Sequence, residues 1–148
     1  MERTVENLEQ ELKSEHDLYL RALADFDNYR RRIDRERAHL GKETLRKFIL
    51  PLLDVVDDLE RFLNLVDAET SPFINGMRAV HEKFLRVLEA EGVRPFQSVG
   101  KPFDPSQHEA VATAPAGEHA PGTVVGEVRR GYRWGDDLLR SARVVVAM

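Results

Sequence analysis

An apolar residue stands at every seventh position in the N-terminal third of the chain. These six positions form a predicted dimer seam: Val5, Leu12, Tyr19, Phe26, Ile33 and Leu40. Such a repeat is typical of one core position of a coiled coil. The other core position, three residues later, is weaker, because Glu15, Glu36 and Glu43 occupy it. The spacing predicts a long helix over residues 1–50 that pairs weakly with a second copy, a lone solvated helix being the alternative.

Charge is segregated along this predicted helix. Residues 1–27 carry a net charge of −5 and residues 30–47 a net charge of +5. The basic stretch 30–37, "RRRIDRER", would suit a coiled-coil dimer that binds nucleic acid. In leucine-zipper proteins, however, the basic region precedes the heptads, whereas here Ile33 and Leu40 continue the repeat through and beyond it. We therefore interpret the stretch as a solvated face or a docking face for an acidic protein, with nucleic acid as the disfavoured alternative.

Residues 51–92 are predicted to form a helix-bundle dimerisation region. The apolar stripe widens in "TLRKFILPLLDVVDDLERFLNLV" beyond what a two-stranded seam covers. Pro51 is expected to kink this helix, because it removes a backbone donor and clashes one turn back. The pattern breaks at "AETSP", where Ser71 suits an N-cap and Pro72 the first helical position, and Gly92 suits a left-handed cap at the end. Two such helices make half of a four-helix bundle, and a second copy of the chain would supply the other half.

Residues 93–148 are predicted to form a small all-β domain. The segments "HEAVATA", "GTVVGEVRRGYRW" and "LLRSARVVVAM" are rich in β-branched residues and alternate as short strands do. Between them, "PAGEHAPG" and "WGDD" are typical of turns. The predicted fold class is therefore α+β: a long coiled-coil helix, two helices contributing to a dimeric bundle, and a C-terminal β-domain.

Composition excludes several classes of protein. The 148 residues include no Cys, which rules out disulfides, a thiol nucleophile and Cys-ligated zinc. The acidic N-terminal segment lacks the apolar region of a secretory signal, and no apolar run approaches the roughly 18 residues of a membrane span. We expect a cytoplasmic protein that does not enter a membrane.

The segment "FDPSQHEAVATAPA" contains the residue types of a hydrolase or zinc site in Asp104, His108 and Glu109. A zincin-type site would need a second His four residues after His108 on a helix, but that position is Ala112, on a predicted strand. His119 is the other histidine nearby, and no third ligand is evident. We interpret the segment as a structural turn with a hydrogen-bonded His, and expect no catalytic residues, metal or cofactor.

Several segments, in this order, resemble the GrpE family, the nucleotide exchange factors of DnaK-type chaperones. They are "FDNYRRR", "LPLLDVVDDLERF", "FLRVLEAEGV", "FDPSQHEAVA", "PGTVVGEVRRGY" and "LLRSARVVVA". The resemblance covers residues 24–147. It implies a parallel homodimer whose β-domain wedges into the chaperone's ATPase domain, opens the nucleotide cleft and releases ADP. It also implies that the long helices act as a thermosensor.

The resemblance also implies which residues touch the chaperone. The family's contacts fall on Arg30, Arg61, Phe103, Pro105, Val128 and Val146, and Gly76 matches a family glycine at the bundle. Elsewhere the chain departs from the family's pattern. The departures are His39 for a basic contact, Asn64 for an acidic contact, Pro51 three residues early, Asp137 for Arg and Ser141 for Pro.

Overall fold

The computed structural model describes residues 2–66 and 71–148. Two helices come first, α1 (Glu2–Leu65) and α2 (Pro72–Ala90). Six strands follow: β1 (Val93–Pro95), β2 (His108–Ala114), β3 (Val124–Arg129), β4 (Tyr132–Trp134), β5 (Asp137–Arg140) and β6 (Ala142–Ala147). The predicted α+β class, with helices before a small β region, is confirmed. Neither described helix has the length and apolar character needed to cross a membrane.

The chain divides into two compact units, Met1–Leu45 and Arg46–Met148. The first unit is the N-terminal part of α1. The second contains the rest of α1, α2 and all six strands. The boundaries predicted at residues 50/51 and 92/93 mark changes in composition. By contact, the helical segment 51–92 and the β segment 93–148 lie in the same compact unit.

Pro51 lies inside α1, and helical backbone continues from it to Leu65. An interior proline costs about 3 kcal/mol because it removes a hydrogen bond and crowds the preceding turn. Leu53 and Val56 lie in the next turns of the helix after Pro51, and both are fully buried in the core of the second unit. We infer that their burial offsets the cost of the proline.

Helix α2 has the ends that the sequence predicts. Ser71 is the N-cap and its hydroxyl accepts a hydrogen bond from the Phe73 amide, while Pro72 takes the first helical position. At the other end Gly92 has φ +82°, the left-handed conformation that glycine adopts without strain. The predicted cap residues are confirmed. Residues 67–70, which include most of the predicted break "AETSP", lie outside the described part of the chain.

The six strands form two three-stranded sheets. In one, β4 lies between β1 and β5, and both pairings are antiparallel. In the other, β6 lies between β3, which is antiparallel to it, and β2, which is parallel. The β4–β5 connection is the predicted "WGDD" turn, in which Gly135 has φ +59°.

Two apolar cores hold the second unit together. The first combines both helices with the β1–β4–β5 sheet, through Leu53, Val56, Leu88, Val93, Tyr132 and Leu139. The second lies on the β2–β6–β3 sheet, through Val124, Ala142, Val144 and Val146. Because the first core takes side chains from helices and strands alike, the end of α1 and the β region pack as one body.

Candidate protein-interaction site

The predicted dimer seam is exposed on α1. Val5, Leu12, Tyr19, Phe26 and Leu40 are between 54% and 72% exposed, and Ile33 is half-buried. A continuous row of apolar side chains in water is unfavourable, by about 25 cal/mol for each Å² left uncovered. In the single chain, therefore, no apolar surface covers the side chains of this seam.

A second exposed apolar surface lies in the second unit. Here α1 and α2 form a shallow groove of about 540 Å³. Its lining is Leu59, Pro72, Phe73, Gly76, Met77 and Val80. We call it the α1–α2 groove. Phe73 and Val80 are largely exposed on it, so the groove also lacks an apolar cover in the single chain.

The two arginines that the resemblance assigns to partner binding are both exposed. Arg30 lies 3.4 Å from Asp27, and the Nη1 of Arg61 donates to Oδ1 of Asp58 at 3.0 Å. Exposed ion pairs of this kind contribute about 0–1 kcal/mol, so either guanidinium can exchange its neighbour for a partner's carboxylate at little cost.

Arg61 and Val128 come together in the structure, although they are far apart in sequence. Both line a cavity of about 450 Å³ between α1 and β3, which Asn64 also lines. Val128 is 62% exposed there. A charged donor beside an exposed valine forms a mixed polar and apolar surface. We call it the Arg61–Val128 surface.

Phe103 and Pro105 belong to the turn between β1 and β2. Pro105 is exposed, while the ring of Phe103 is half-buried against the second core and lies 6.0 Å from the ring of His108. The last predicted contact residue, Val146, is only 9% exposed and packs within that core. Val146 therefore offers a partner less surface than Val128 does.

The Asp104–His108 cluster is a structural turn, as predicted. Oδ1 of Asp104 accepts hydrogen bonds from the Ser106 amide at 2.9 Å and from its hydroxyl at 2.7 Å, and these bonds lower the pKa of the carboxyl. Nδ1 of His108 accepts from the Asp104 amide at 3.0 Å. Burial lowers the pKa of the imidazole and so favours the neutral ring, and the bond accepted by Nδ1 places the ring proton on Nε2. The Nε2 of His108 is buried without a hydrogen-bond partner.

A group of ion pairs in the second unit was not predicted from the sequence. The side chain of Arg140, on β5, lies 2.6 Å from Asp57 of α1 and is 6% exposed. Arg130 lies 3.2 Å from Glu60, and Glu60 lies 2.9 Å from His81 of α2. The sequence did contain one signal, since Asp54, Asp57 and Glu60 recur every third residue and so share one helix face.

Among the described residues, the acidic and histidine side chains form no cluster of metal ligands. Across residues 2–66 and 71–148, no three or more His, Asp or Glu side chains are grouped so that they could hold an ion. The seam, the α1–α2 groove and the Arg61–Val128 surface are three exposed surfaces that a protein partner could cover.

These elements define an α+β protein with a long, uncovered N-terminal helix and a compact unit of helices and small sheets. The GrpE family model matches residues 1–148. The chain therefore belongs to the GrpE family.

Individual relatives show the same similarity. The chain is 44% identical over 130 residues to Protein GrpE of Thermus thermophilus, covering 88% of this chain and 72% of that protein. It is 37% identical over 150 residues to Protein GrpE of Synechococcus sp. strain JA-2-3B'a(2-13), covering 99% and 63%. For Protein GrpE of Parageobacillus thermoglucosidasius the identity is 37% over 145 residues, covering 97% and 65%. The chain thus spans 63% and 60% of the lengths of two relatives from Synechococcus strains.

Proposed function

We propose that this chain is a homodimeric co-chaperone that binds the ATPase domain of a DnaK-type chaperone and accelerates release of ADP. The observation that carries the proposal is the match of the GrpE family model to residues 1–148. The exposed surfaces on α1 and β3 support it, because they offer both charged and apolar contacts to a protein partner.

The proposed mechanism involves binding alone and no bond making. A ligand shifts a conformational equilibrium only by its difference in affinity for the two states. The chain would therefore bind the ATPase domain more tightly when its nucleotide cleft is open, and ADP would leave from that state.

Each proposed contact residue has a chemical role in this binding. Arg30 and Arg61 would pair with carboxylates of the chaperone. Val128 and Pro105, both exposed, would bury apolar surface on it, with the half-buried Phe103 supporting the turn beneath Pro105. Val146 would act mainly by packing under the β3 surface, given its burial.

A homodimer would cover the two apolar surfaces that the single chain exposes. The seam of one helix would pair with the same seam of a second copy, and the α1–α2 groove would meet its counterpart in a four-helix bundle. Because Glu15, Glu36 and Glu43 face each other in a parallel pair, the long helices would separate at lower temperature than the bundle. Such separation would make exchange sensitive to heat.

The alternative, nucleic-acid binding through residues 30–37, has less support. Arg30 and Arg31 both pair with Asp27, and Arg32 lies 3.8 Å from Glu36, so the chain's own acids neutralise part of this stretch. Phosphate binding falls steeply with salt, by a factor set by the number of phosphates neutralised. Retention of a DNA or RNA duplex with such a salt dependence would favour the alternative.

The direct test is stopped-flow release of a fluorescent ADP analogue from the ATPase domain of a DnaK-type chaperone. The proposal predicts that adding this protein raises the release rate to a plateau as its concentration increases. A release rate that stays at its unassisted value at every concentration would contradict the proposal.

A further inference from the structure

The Arg140 side chain is held by several groups at once, including Asp54 of α1 at 3.6 Å. Its Nη2 donates to Oδ1 of Asp57 at 2.6 Å, and its Nε donates to the Arg130 carbonyl at 2.8 Å. Its guanidinium lies 5.1 Å from the ring centroid of Tyr132. Both members of the Arg140–Asp57 pair are buried, at 6% and 14% exposure. A guanidinium is planar and donates in fixed directions, so these contacts set its orientation as well as its position.

Further ion pairs extend this arrangement across the same unit. Arg130 reaches Glu60 of α1 at 3.2 Å, and His81 of α2 lies 2.9 Å from the same carboxylate oxygen. Arg129 lies 3.8 Å from Asp57. The Arg140–Asp57 pair is thus the most buried member of a group that ties β3 and β5 to both helices.

A buried ion pair adds little net stability, but its directional bonds can fix the orientation of the elements that it joins. Removing the two charges from water costs about as much as their attraction returns, so two apolar residues often replace a buried pair without loss of stability. Apolar side chains lack the directional hydrogen bonds of a guanidinium, so a pair of them would hold β3 and β5 against α1 within a wider range of angles. The pair should therefore matter more for the orientation of β3 and β5 on α1 than for folding.

The residues tied by these contacts adjoin the Arg61–Val128 surface. Arg61 follows Glu60 on α1, and Val128 precedes Arg129 on β3. Both line the cavity whose walls also include Asp57, Arg129 and Arg130. The spacing between Arg61 and Val128 thus depends on how β3 is held against α1.

We propose that Arg140 and Asp57 are positioning residues, which fix Arg61 and Val128 at the spacing that a protein partner recognises. The geometric part of this proposal concerns the chain alone. The part about recognition rests on the proposed function, with the chaperone's ATPase domain as the partner.

A variant that removes both charges separates orientation from folding. D57L/R140L removes both buried charges, and Arg129, which loses Asp57, still has Asp54 at 3.7 Å. The fold is therefore expected to persist, as circular dichroism and thermal unfolding will show. Arg140→Lys is the second variant, since it keeps the charge but loses the planar guanidinium whose Nη2 and Nε bond Asp57 and the Arg130 carbonyl in fixed directions. The matched control is E89Q/R94Q, which removes an exposed ion pair of 3.4 Å in the same unit.

The first measurement is made on the protein without a partner. Because the sequence contains no Cys, Arg86→Cys on α2 and Ala112→Cys on β2 provide two label sites, both exposed. Each cysteine carries a spin label. When labelled chains are mixed with an excess of unlabelled chains, the measured spin–spin distance is the one within a single chain. We expect a narrow distribution for the parent and the control, and one at least twice as wide for D57L/R140L and for Arg140→Lys.

The second measurement is the concentration dependence of ADP-analogue release. If only about a tenth of the variant molecules hold the competent spacing, the concentration for half-maximal release rises about tenfold, while the plateau rate is unchanged. The control should match the parent in both quantities. An unfolded fraction would raise the half-maximal concentration in the same way, so the comparison is made at a temperature where circular dichroism shows each variant fully folded.

The outcomes of the two measurements separate the proposed function from the positioning role. If the parent does not accelerate release but the variants still broaden the distance distribution, the proposed function is wrong and the positioning role stands. A folded D57L/R140L or Arg140→Lys protein with the parent's distance distribution and half-maximal concentration would overturn the positioning role. Unfolding of both variants would overturn it too, since the pair would then be a requirement for folding.

Discussion

Gly131 lies so close to Phe96 that any side chain at residue 131 would overlap the phenyl ring. A β-carbon built on Gly131 would also lie 2.7 Å from the Ala142 amide nitrogen. The close approach brings the β3–β4 connection against β6 and leaves no room for a methyl group. Residue 131 therefore requires glycine for space.

Gly131→Ala is expected to destabilise the second unit by about 1–3 kcal/mol, the usual cost of overpacking a filled site. Gly126→Ala is the matched control, because its β-carbon would meet Val145 at an ordinary 3.6 Å. Urea unfolding of both variants checks this. A Gly131→Ala protein as stable as Gly126→Ala would contradict the packing described for this connection.

Acidification should destabilise the fold through His108. Burial is the main cause of its lowered pKa, opposed by the Asp104 carboxylate and assisted by Lys101. Below pH 6.5, the ordinary pKa of histidine, His108 binds a proton in the unfolded chain but not in the folded chain. The free energy of unfolding therefore decreases as the pH is lowered from 6.5 towards the folded pKa. The lowered pKa of Asp104 lies below 3.8 and contributes only in stronger acid.

The check is urea unfolding between about pH 5 and pH 7, the range in which a buried neutral His must charge on unfolding. His108→Asn keeps an acceptor for the Asp104 amide but cannot titrate, and it should lose part of the pH dependence. His119→Asn, in an exposed loop, serves as control and should retain it. Equal pH dependence in all three proteins would argue against a buried, neutral His108.

Local features of the fold were predictable from the sequence. Three features depend only on neighbours within a few residues: the heptads, the Ser71 and Gly92 caps, and the strand segments. The sequence pattern therefore predicts them. The parallel pairing of β2 with β6 was not predictable, because it joins segments more than thirty residues apart in sequence. The Arg140–Asp57 pair was missed for the same reason, since only packing shows which of many charges is buried.

The candidate contact residues came from resemblance and not from pattern. Arg61 and Val128 share a cavity that sequence spacing gave no reason to expect. Val146 resembles Val128 in sequence context, as a valine on a short strand, yet it is buried in the second core. Val146, on the middle strand β6, pairs with the buried Val124, whereas Val128 falls at a register shift between Glu127 and Arg129 on the edge strand β3.

The assembly prediction concerns the α1–α2 groove. We expect a homodimer in solution with no stable compact monomer at micromolar concentration. Val80→Asp places a charge in the groove and should shift sedimentation towards a smaller species with less helix. Asn75→Asp adds the same charge at another exposed position of α2 and should leave the dimer intact. A parent protein that sediments as a folded monomer would contradict the dimer.

The heat prediction concerns the two core positions of the seam. We expect two thermal transitions by circular dichroism, the lower one mostly helical, because Glu15, Glu36 and Glu43 weaken the pairing of the long helices. Replacing these three with Leu should raise the lower transition and leave the upper one nearly unmoved. Leu at Glu6, Asp17 and Asp34 removes as many charges outside both core positions and should raise it less. One transition that shifts as a whole would refute separate melting.

Stopped-flow ADP-analogue release decides whether the chain releases nucleotide by binding a chaperone through the Arg61–Val128 surface. The parent, Val128→Asp and His39→Ala are compared at one concentration that is half-saturating for the parent. Because truncating or charging a central apolar contact costs about 2 kcal/mol or more and a rim charge much less, Val128→Asp should lose most of the acceleration and His39→Ala little. No acceleration by the parent, or equal acceleration by all three proteins, would contradict this mechanism.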